Sequence, residues 1–399
     1  MTSMTSMTSP LELRVRSAAP VDAAALAPVL DPAGSGCMLP ASAYLSESVL
    51  AWERTHLFAG AWVCAGRSAD LSEVGTRRAV AVGDDAVLLV RGDDGELRGF
   101  FNTCQHRAHE LAPCGAASTH RSIHCPYHGW RYALDGTLLS TPRFDAPAGF
   151  DRSQHGLVPV AVEEWHGWVM VNVDGEAPPL GSFLDGIEPR IAGHEPERLV
   201  VGATHRYELA TNWKLIVENY HECFHCPNIH PELCAVSPST SGENALGHDG
   251  FWVGGWQDLM PHAVTMSLTG ESPTVPLRGL QGVARRRIDY LGLLPNLLVS
   301  LHPDYVMTHR IDPVAPGRTE VECQWLFAPE DLARDGFDPS FAVDFWDLTN
   351  RQDWAACEGV QRGVASRGYH PGPFSHDEDA VTQFVRLVAM AYLTGTWTR

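Results

Sequence analysis

Apolar residues recur at helical spacing in two stretches of the chain. Between residues 44 and 58 they fall three to five positions apart, which predicts an amphipathic helix. The apolar face of that helix would contain Leu45, Val49, Trp52 and Leu57. A longer helical pattern covers residues 340–365. Asp338 can cap it, and Pro339 suits its first position because that position needs no N–H donor.

The pattern between residues 62 and 174 is different. Short runs rich in β-branched and aromatic residues, such as AVAV, AVLLVR and GFFNT, alternate with turns such as Asp94-Gly95. The run at 168–173 predicts one more strand, and residues 175–181, which contain two adjacent prolines, predict a linker. This part of the chain is therefore expected to be an all-β module.

The second half of the chain mixes both patterns. Strands are predicted at 297–301 and 320–327 beside the long helix, so an α+β domain is expected after the linker. Residues 1 to about 36 hold an MTS repeat and an Ala/Pro/Gly-rich stretch with little apolar patterning. The predicted divisions are a flexible tail (1–40), a β domain with its leading helix (41–175) and an α+β domain (176–399).

Composition and charge narrow the functional classes. The 399 residues are 44% hydrophobic and 19% charged, which is typical of a globular protein. The net charge of −19 disfavours binding to nucleic acid and to anionic membranes, since both attract excess Lys and Arg. The N-terminus shows no secretory-signal pattern and the chain no long apolar run, so we expect a cytoplasmic protein with small-molecule or protein partners.

Two pairs of candidate metal ligands lie close together in the β-rich part. Cys104 and His106 form C-x-H, and after 18 further residues Cys125 and His128 form C-x-x-H. Two loops with such pairs can hold one metal centre, and mixed sulfur and nitrogen ligands suit either zinc or an iron–sulfur cluster. Zinc fingers favour two cysteines in one pair and two histidines in the other, so the spacing favours a cluster and leaves zinc open.

A second set of candidate ligands follows in the α+β part. Glu222, His225 and His230 form E-x2-H-x4-H. On one continuous helix Glu218, Glu222 and His225 would share a face, whereas His230 would be turned away by about 140°. The two histidines can therefore reach one metal only if the helix ends between them, and Pro227 can end it. Two imidazoles and one carboxylate, the last still to be found, would leave open positions on Fe(II) for oxygen and substrate.

Cys223 and Cys226 form C-x-x-C beside these histidines. The pair could belong to a second zinc site or to a thiol-redox site. A single pair is weak evidence, so we expect both side chains to pack in the core as small apolar groups. In a reducing compartment the ten cysteines are expected to be thiols or metal ligands rather than disulfides.

Both motifs resemble those of the catalytic α subunits of Rieske non-haem iron oxygenases. The C-x-H and C-P-x-H-G-W segments resemble the two loops that hold a Rieske [2Fe-2S] cluster, with a slightly longer spacer than most members have. The resemblance implies a Rieske domain followed by a catalytic domain of antiparallel sheet packed with helices, of the helix-grip or START-like type. The implied cluster ligands are Cys104, His106, Cys125 and His128.

The resemblance also implies roles for the second motif. His225 and His230 would bind the mononuclear Fe(II), and Asn219 would be a catalytic residue together with Glu222. Glu222 would hydrogen-bond a cluster histidine of a neighbouring subunit in a head-to-tail homotrimer and so form the electron bridge.

The third iron ligand would come from a late helix. Residues 350–363 read NRQDWAACEGVQRG, which matches the family pattern of Q-D followed by E and Q-R-G. Asp353 is the predicted ligand, and Glu358 is the alternative. Without the resemblance, Asp353 would be interpreted as a solvated helix carboxylate.

Within this family, ENYHECFHCPNIHPE and the later QRG and Y-x-PGP segments look most like glycine betaine, proline betaine and choline monooxygenases. This similarity implies hydroxylation of a carbon next to nitrogen, with N-demethylation as the outcome. A quaternary ammonium substrate needs aromatic faces for cation–π contacts. Candidate faces, which could equally be core residues, are Phe224, Trp252, Trp256, Tyr305 and Trp325.

Electrons must come from another protein. No G-x-G-x-x-G follows a predicted strand, and no plant-type ferredoxin cysteine spacing is present. The family resemblance therefore implies a separate flavin/iron–sulfur reductase that takes electrons from NAD(P)H. Two other functions remain open on sequence alone, an aromatic ring-hydroxylating dioxygenase α subunit and a Rieske electron carrier.

Overall fold

The computed structural model describes residues 16–31, 34, 36–115 and 117–399. Two seven-stranded antiparallel sheets follow one another along these residues, and a three-stranded sheet is inserted in the first half. The protein is thus α+β, with a β-rich first half, as predicted. No helix within the described ranges is long and apolar enough to cross a membrane.

The strands of the first half follow the predicted runs. They are β1 (Val63–Arg67), β2 (Thr76–Val82), β3 (Asp85–Arg91), β4 (Leu97–Phe101), β5 (Ala117–Thr119), β6 (Ile123–His124), β7 (Arg131–Tyr132), β8 (Leu138–Ser140), β9 (Pro159–Trp165) and β10 (Trp168–Asn172). The large sheet has the order β1-β10-β9-β4-β3-β2-β5, and β6, β7 and β8 form the small sheet. AVAV, AVLLVR and GFFNT lie in or at the end of β2, β3 and β4, and β10 is the strand predicted at 168–173.

The second sheet has the order β11-β17-β16-β15-β14-β13-β12. Its strands are β11 (Val200–Leu209), β12 (Glu243–Asn244), β13 (Trp252–Asp258), β14 (Arg287–Leu293), β15 (Leu297–Leu301), β16 (Val306–Ala315) and β17 (Arg318–Phe327). β15 coincides with its prediction, and β17 starts two residues earlier than predicted. Every residue of β15 is buried, and the strand lies in the middle of the sheet between β14 and β16.

Eleven α-helices lie in the described residues, and three of them pack on the second sheet. The helices are α1 (Ala23–Leu30), α2 (Ala41–Leu45), α3 (Glu47–Glu53), α4 (Leu180–Phe183), α5 (Glu188–Ile191), α6 (Trp213–Tyr220), α7 (Cys226–Ile229), α8 (Pro231–Val236), α9 (Pro329–Leu332), α10 (Ser340–Val364) and α11 (Asp379–Thr394). Helix α6 packs against α10 and against α11, and all three contact the sheet, which places α6 and α10 side by side at the site described below.

The helix predicted at 44–58 is two helices. α2 ends at Leu45 and α3 begins at Glu47. Ser46 lies between them, and its hydroxyl accepts a hydrogen bond from the N–H of Val49 at 3.4 Å and so caps α3. A π-helical turn continues α3 through Arg54–Phe58. Because of this break, Leu45 is exposed and does not belong to the buried face on which we predicted it.

The start of α10 also differs slightly from its prediction. Asp338 accepts a hydrogen bond from the N–H of Ser340 at 2.9 Å, which confirms that it satisfies a free donor of the first turn. Pro339 directly precedes the helix rather than occupying its first position.

Within the segment predicted as a tail, residues 23–30 form α1. Leu26 and Val29 in α1 are buried against α11. Arg386 of α11 donates hydrogen bonds to the carbonyls of Val29 and Asp31 at 3.2 and 2.8 Å. The short, Ala-rich α1 depends on these tertiary contacts, so its own sequence gives little signal. The MTS repeat lies outside the described residues.

Buried polar contacts hold α6 in place. The Lys214 ammonium of α6 lies 2.6 Å from the Glu53 carboxylate of α3, and both side chains are fully buried. The indole N–H of Trp213 donates to the same carboxylate at 2.8 Å, and the hydroxyl of Tyr392 from α11 donates to it as well. Three helices therefore meet at one carboxylate behind the candidate site.

Candidate active site and metal centres

Three candidate ligands meet between α7, α8 and α10. His225 precedes α7, His230 separates α7 from α8, and Asp353 projects from α10. Asp353 Oδ1 lies 2.8 Å from His230 Nε2 and 3.3 Å from His225 Nε2. Cis ligands at about 2.1 Å from one ion would be separated by similar distances, roughly 3 Å. In the described part of the chain, this is the one group of three His, Cys, Asp or Glu side chains whose ligand atoms all lie within 4.8 Å of one another.

The local backbone differs from the helix that the motif suggested. α6 ends at Tyr220, so Glu218, Glu222 and His225 do not share one helical face. The Glu222 carboxylate accepts the backbone N–H of His225 at 3.1 Å and that of Phe224, so a side chain satisfies donors that a continuing helix would have paired. Pro227 then stands in the first turn of α7 and does not end α6.

Each histidine is oriented by a hydrogen bond at its other ring nitrogen. Nδ1 of His225 lies 2.5 Å from Glu222 Oε1, and Nδ1 of His230 lies 2.7 Å from the side-chain oxygen of Gln352. Both acceptors favour the tautomer with the proton on Nδ1 and leave Nε2 free for a metal. We did not single out Gln352 from the sequence, although it is the Q of the Q-D pair.

The electrostatics of the three side chains favour a cation between them. Burial disfavours the charged form of His225, but hydrogen bonds with Asp353 and Glu222 raise its pKa to about 9. The two histidines in turn lower the pKa of Asp353, although burial opposes this. Two imidazoles and one carboxylate are the donor set of non-haem ferrous sites, so the residues fit the predicted metal.

The other carboxylates of the two motifs have different surroundings. Glu358, the alternative ligand, accepts the backbone N–H of Ala210 at 3.0 Å and is not part of the group. Glu218 is buried and accepts the hydroxyl of Tyr44 at 2.8 Å. Asn219 lines the cavity described below. The geometry therefore favours Asp353 over Glu358.

The first motif forms a second candidate centre. The Cys104 thiol lies next to that of Cys125, and the ring centroids of His106 and His128 are 4.7 Å apart. Four ligand atoms bound to a single zinc would all lie within 4.8 Å of one another. Among the ligand atoms of these four described residues, no three lie that close together. Two thiols beside two imidazoles, spread over a larger distance, fit a cluster with two irons.

Burial supports the same assignment. Both cysteines are buried, whereas His128 and Tyr127 are exposed, so the histidine side of the centre faces the surface. Nδ1 of His106 is buried and has no hydrogen-bond partner among the described residues, as expected of an atom that would bind a metal.

A cavity of about 750 Å³ contains the His225, His230 and Asp353 side chains. Of the predicted aromatic faces, Phe224 and Trp256 line it. The other three are core residues buried elsewhere, namely Trp252, Tyr305 and Trp325. Further aromatic residues of the wall were not predicted, since nothing in their spacing separates them from core positions: Tyr220, Tyr290, Trp346 and Trp354.

Cys223 and Cys226 pack in the core cluster under α8, as predicted, but the structure joins them in a disulfide. For these two cysteines, this corrects the expectation of thiols or metal ligands. The turn after α6 brings the two Cα atoms to 4.9 Å, a separation at which a disulfide can form.

The first domain is β-rich and holds a Cys2His2 centre, and the second holds a site of two histidines and one carboxylate. This combination defines a Rieske-type oxygenase. Comparison with known families agrees with this class. Residues 61–160 match the Rieske [2Fe-2S] domain, and residues 196–394 match the catalytic domain of the ring hydroxylating alpha subunit.

Relatives match over most of the chain. The glycine betaine monooxygenase oxygenase subunit of Chromohalobacter salexigens is 30% identical, covering 87% of this chain and 84% of its own. The carnitine monooxygenase oxygenase subunit of Escherichia coli K12 is 28% identical, covering 83% and 85%. The solved structure of the quaternary ammonium Rieske monooxygenase CntA with L-carnitine has a TM-score of 0.74 at 25% identity, covering 90% and 96%.

The chain therefore belongs to the family of Rieske oxygenase catalytic subunits. It is an oxidoreductase of the class that combines a [2Fe-2S] cluster with a mononuclear iron and receives electrons from a separate reductase. Membership excludes the zinc-binding and electron-carrier alternatives.

Proposed function

We propose that this protein is a monooxygenase component that hydroxylates a quaternary ammonium substrate on a carbon next to nitrogen. The observation that carries the proposal is the cavity, which combines the three iron-ligand candidates with aromatic faces and further carboxylates. Aromatic faces bind quaternary ammonium groups through cation–π contacts, and carboxylates favour a cationic ligand. Relatives named for glycine betaine and carnitine oxidation support this substrate class.

His225, His230 and Asp353 are the proposed ligands of Fe(II), which when bound supplies the site where O₂ is activated. Glu222 and Gln352 hold the two imidazoles in the tautomer that leaves Nε2 free. Overall, O₂, two electrons and two protons convert a substrate C–H bond into C–OH and one water. If the carbon is an N-methyl group, the product releases formaldehyde and a proton and leaves the demethylated amine.

The proposed electron path runs between subunits. Cys104, His106, Cys125 and His128 are the proposed cluster ligands, and the exposed side of His128 can meet another subunit. Glu222, next to His225, is the proposed bridge in a homotrimer. A cytoplasmic location and a reductase that uses NAD(P)H complete the proposal.

The test combines iron analysis with turnover. The purified protein should contain about three irons per chain and show the visible spectrum of a Rieske cluster. With a reductase and NADH it should release formaldehyde from quaternary ammonium compounds. Formation of a cis-diol from naphthalene, with no reaction on any ammonium compound, would instead support the aromatic dioxygenase alternative, which shares this fold.

A further inference from the structure

The small sheet formed by β6, β7 and β8 has one face toward the candidate cluster site and one toward solvent. Its inward side chains are buried in the hydrophobic cluster that also contains Cys104 and Cys125. They are Ile123, Tyr132 and Leu138. Side chains alternate along a strand, so the neighbouring residues point outward and are exposed. These residues, which define the outer face, are His124, Arg131 and Leu139.

The outer face lies one layer of side chains away from the sulfur side of the centre. On the inner face, the hydroxyl of Tyr132 lies 3.2 Å from Cys104 Sγ, and Cys125 directly follows the end of β6. The imidazole side lies elsewhere, at the tip of the two loops. There Tyr127 and His128 are both exposed, with ring centroids 3.7 Å apart. The centre can therefore be approached from two different surfaces.

Arginines border the outer face on both sides. Next to β6, Arg77 of β2 donates a hydrogen bond to the carbonyl of Ser122 at 3.2 Å. At β8, Arg152 donates to the carbonyl of Leu139 at 3.4 Å. Arg131 of β7 lies between these two positions. The outer face thus carries guanidinium groups across its whole width.

These guanidinium groups are not neutralised by neighbouring carboxylates. Three arginines of the large sheet form ion pairs with carboxylates at distances of 3.0, 2.8 and 2.5 Å, namely Arg78, Arg91 and Arg98. Among the described residues, no ion pair involves the arginines at the outer face, including the exposed Arg121 just before β6. Their charge is available to a partner.

The region around the outer face also differs in net charge from the rest of the chain. Residues 104–155 contain five arginines and four acidic residues, whereas the whole chain has a net charge of −19. Two of the four carboxylates are engaged in local turns. Asp135 accepts the N–H of Thr137 at 2.9 Å, and Asp151 accepts the N–H of Ser153 at 2.9 Å. A weakly positive region therefore surrounds the centre in a strongly acidic protein.

We propose that the outer face is the docking surface of the electron donor, and that this donor presents an acidic surface around a reduced iron–sulfur cluster. Each encounter moves one electron, which the donor's cluster loses and the cluster held by the four proposed ligands gains. The electron enters on the sulfur side and leaves on the imidazole side, toward Glu222 of a neighbouring subunit. The inference rests on the proposed function and specifies where its reductase binds and with which charge.

The distribution of charge favours an acidic donor at this position. An acidic protein is repelled by most of the surface and attracted at the outer face, so the encounter is oriented toward the centre. A basic donor would be attracted elsewhere and repelled next to the cysteines. Leu139, which is 42% exposed, adds an apolar contact inside the ring of arginines. In the proposed trimer the neighbouring subunit contacts the imidazole side, so the outer face stays open.

The experiment measures entry of the electron, not turnover. The iron-loaded full chain with an oxidised cluster is mixed, without O₂, with an excess of a reduced, acidic plant-type [2Fe-2S] ferredoxin. Freeze-quench electron paramagnetic resonance separates the signals of the two reduced clusters and gives the rate. The ionic strength is about 0.1 M, where the Debye length is about 10 Å and local charges dominate.

Arg131→Glu should slow cluster reduction at least about tenfold, because it reverses a charge at the centre of the outer face. Arg131→Gln, which only removes the charge, should have an intermediate effect. The matched control is Arg367→Glu, since Arg367 is exposed beyond α10 and has no ion pair among the described residues. It should change the rate less than about twofold. Equal rates for Arg131→Glu and the unaltered protein would overturn the proposal.

Two further measurements separate this surface from its neighbours. Arg107 lies at the imidazole side, 5.6 Å from the ring centroid of Tyr127. Arg107→Glu should slow reduction less than Arg131→Glu, and a larger loss would show that the donor docks at the imidazole side. Sedimentation velocity should give the same oligomer for Arg131→Glu as for the unaltered protein. Dissociation of the variant would show that the outer face is a contact between copies of the chain.

Failure of this inference and failure of the proposed function give different results. If ferredoxin reduces all variants equally fast while quaternary ammonium compounds are demethylated, only the docking surface is wrong. If Arg131→Glu slows reduction but no ammonium compound is demethylated, the docking surface stands and the proposed substrate class is wrong. Complete reduction of each variant by dithionite establishes that its cluster is intact.

Discussion

At the scale of single residues, the position of one carboxylate oxygen decides which side chains can share a metal. Asp353 Oδ1 lies beside Nε2 of both His225 and His230. Asp353→Ala should remove about one of three irons per chain and abolish turnover, because two imidazoles alone bind Fe(II) weakly. Iron analysis and the visible spectrum measure this, and the cluster absorption should remain.

The matched control for that change is Glu358→Ala, on the same helix. Its carboxylate bonds the backbone N–H of Ala210 and not the histidines, so the variant should keep all three irons. Loss of the mononuclear iron from Glu358→Ala, with retention in Asp353→Ala, would reverse the assignment.

Glu222 is the second residue whose role can be separated from metal binding. Glu222→Gln keeps a side-chain oxygen that can accept from His225 Nδ1 but removes the charge. Both metal sites should stay occupied, while oxidation of the reduced cluster becomes slow and uncoupled from product formation. Stopped-flow absorption and product analysis measure this. Glu208→Gln, on the exposed face of β11, is the control, and normal coupled turnover in Glu222→Gln would rule out the bridge.

At the scale of elements, α6 carries the chain into the site, and a buried ion pair holds it. Burial lowers the pKa of Lys214, and the Glu53 carboxylate opposes that shift. Lys214→Met should therefore destabilise the protein by about 3–5 kcal/mol, since it leaves Glu53 buried and unpaired. Urea unfolding measures the loss.

A double variant tests the cause of that loss. Lys214→Met combined with Glu53→Gln removes both charges and keeps a polar partner for Trp213 and Tyr392. It should recover part of the stability that the single variant loses. Strictly additive losses would show that the two side chains are not coupled.

At the scale of the whole molecule, buried neutral histidines make the fold sensitive to acid. His194 is buried, and burial lowers its pKa from 6.5 to about 4, although a hydrogen bond with the backbone of Arg190 opposes this shift. Between pH 6.5 and 4 the unfolded chain binds a proton that the native state does not, so stability falls as the pH is lowered. From pH 7 to pH 5 this histidine should account for about 2 kcal/mol.

His194→Leu should reduce the loss of stability between pH 7 and pH 5 by that amount. Urea unfolding of both proteins, followed by tryptophan fluorescence at the two pH values, tests the expectation. The same pH dependence in the variant would mean that other groups control acid unfolding.

The motifs in single loops could be predicted because their geometry is local. Cys104 and His106, or His225 and His230, are held near one another by a few residues of backbone, so residue type and spacing already indicate the centre. The strands β3 and β15 were predictable for a similar reason, since their apolar runs must be buried wherever the sheet lies. The helix end at Tyr220 was not predictable, because the Glu222 side chain replaces the backbone partners there.

The sequence by itself thus determined the α+β class, the order of the two halves, the two ligand motifs and, through the family resemblance, Asp353 as the third ligand. Only the tertiary structure decided that Asp353 and not Glu358 meets His225 and His230, and that Gln352 orients His230. These contacts join residues that lie far apart in the sequence. Such distances depend on how sheet and helices pack, which local spacing does not encode.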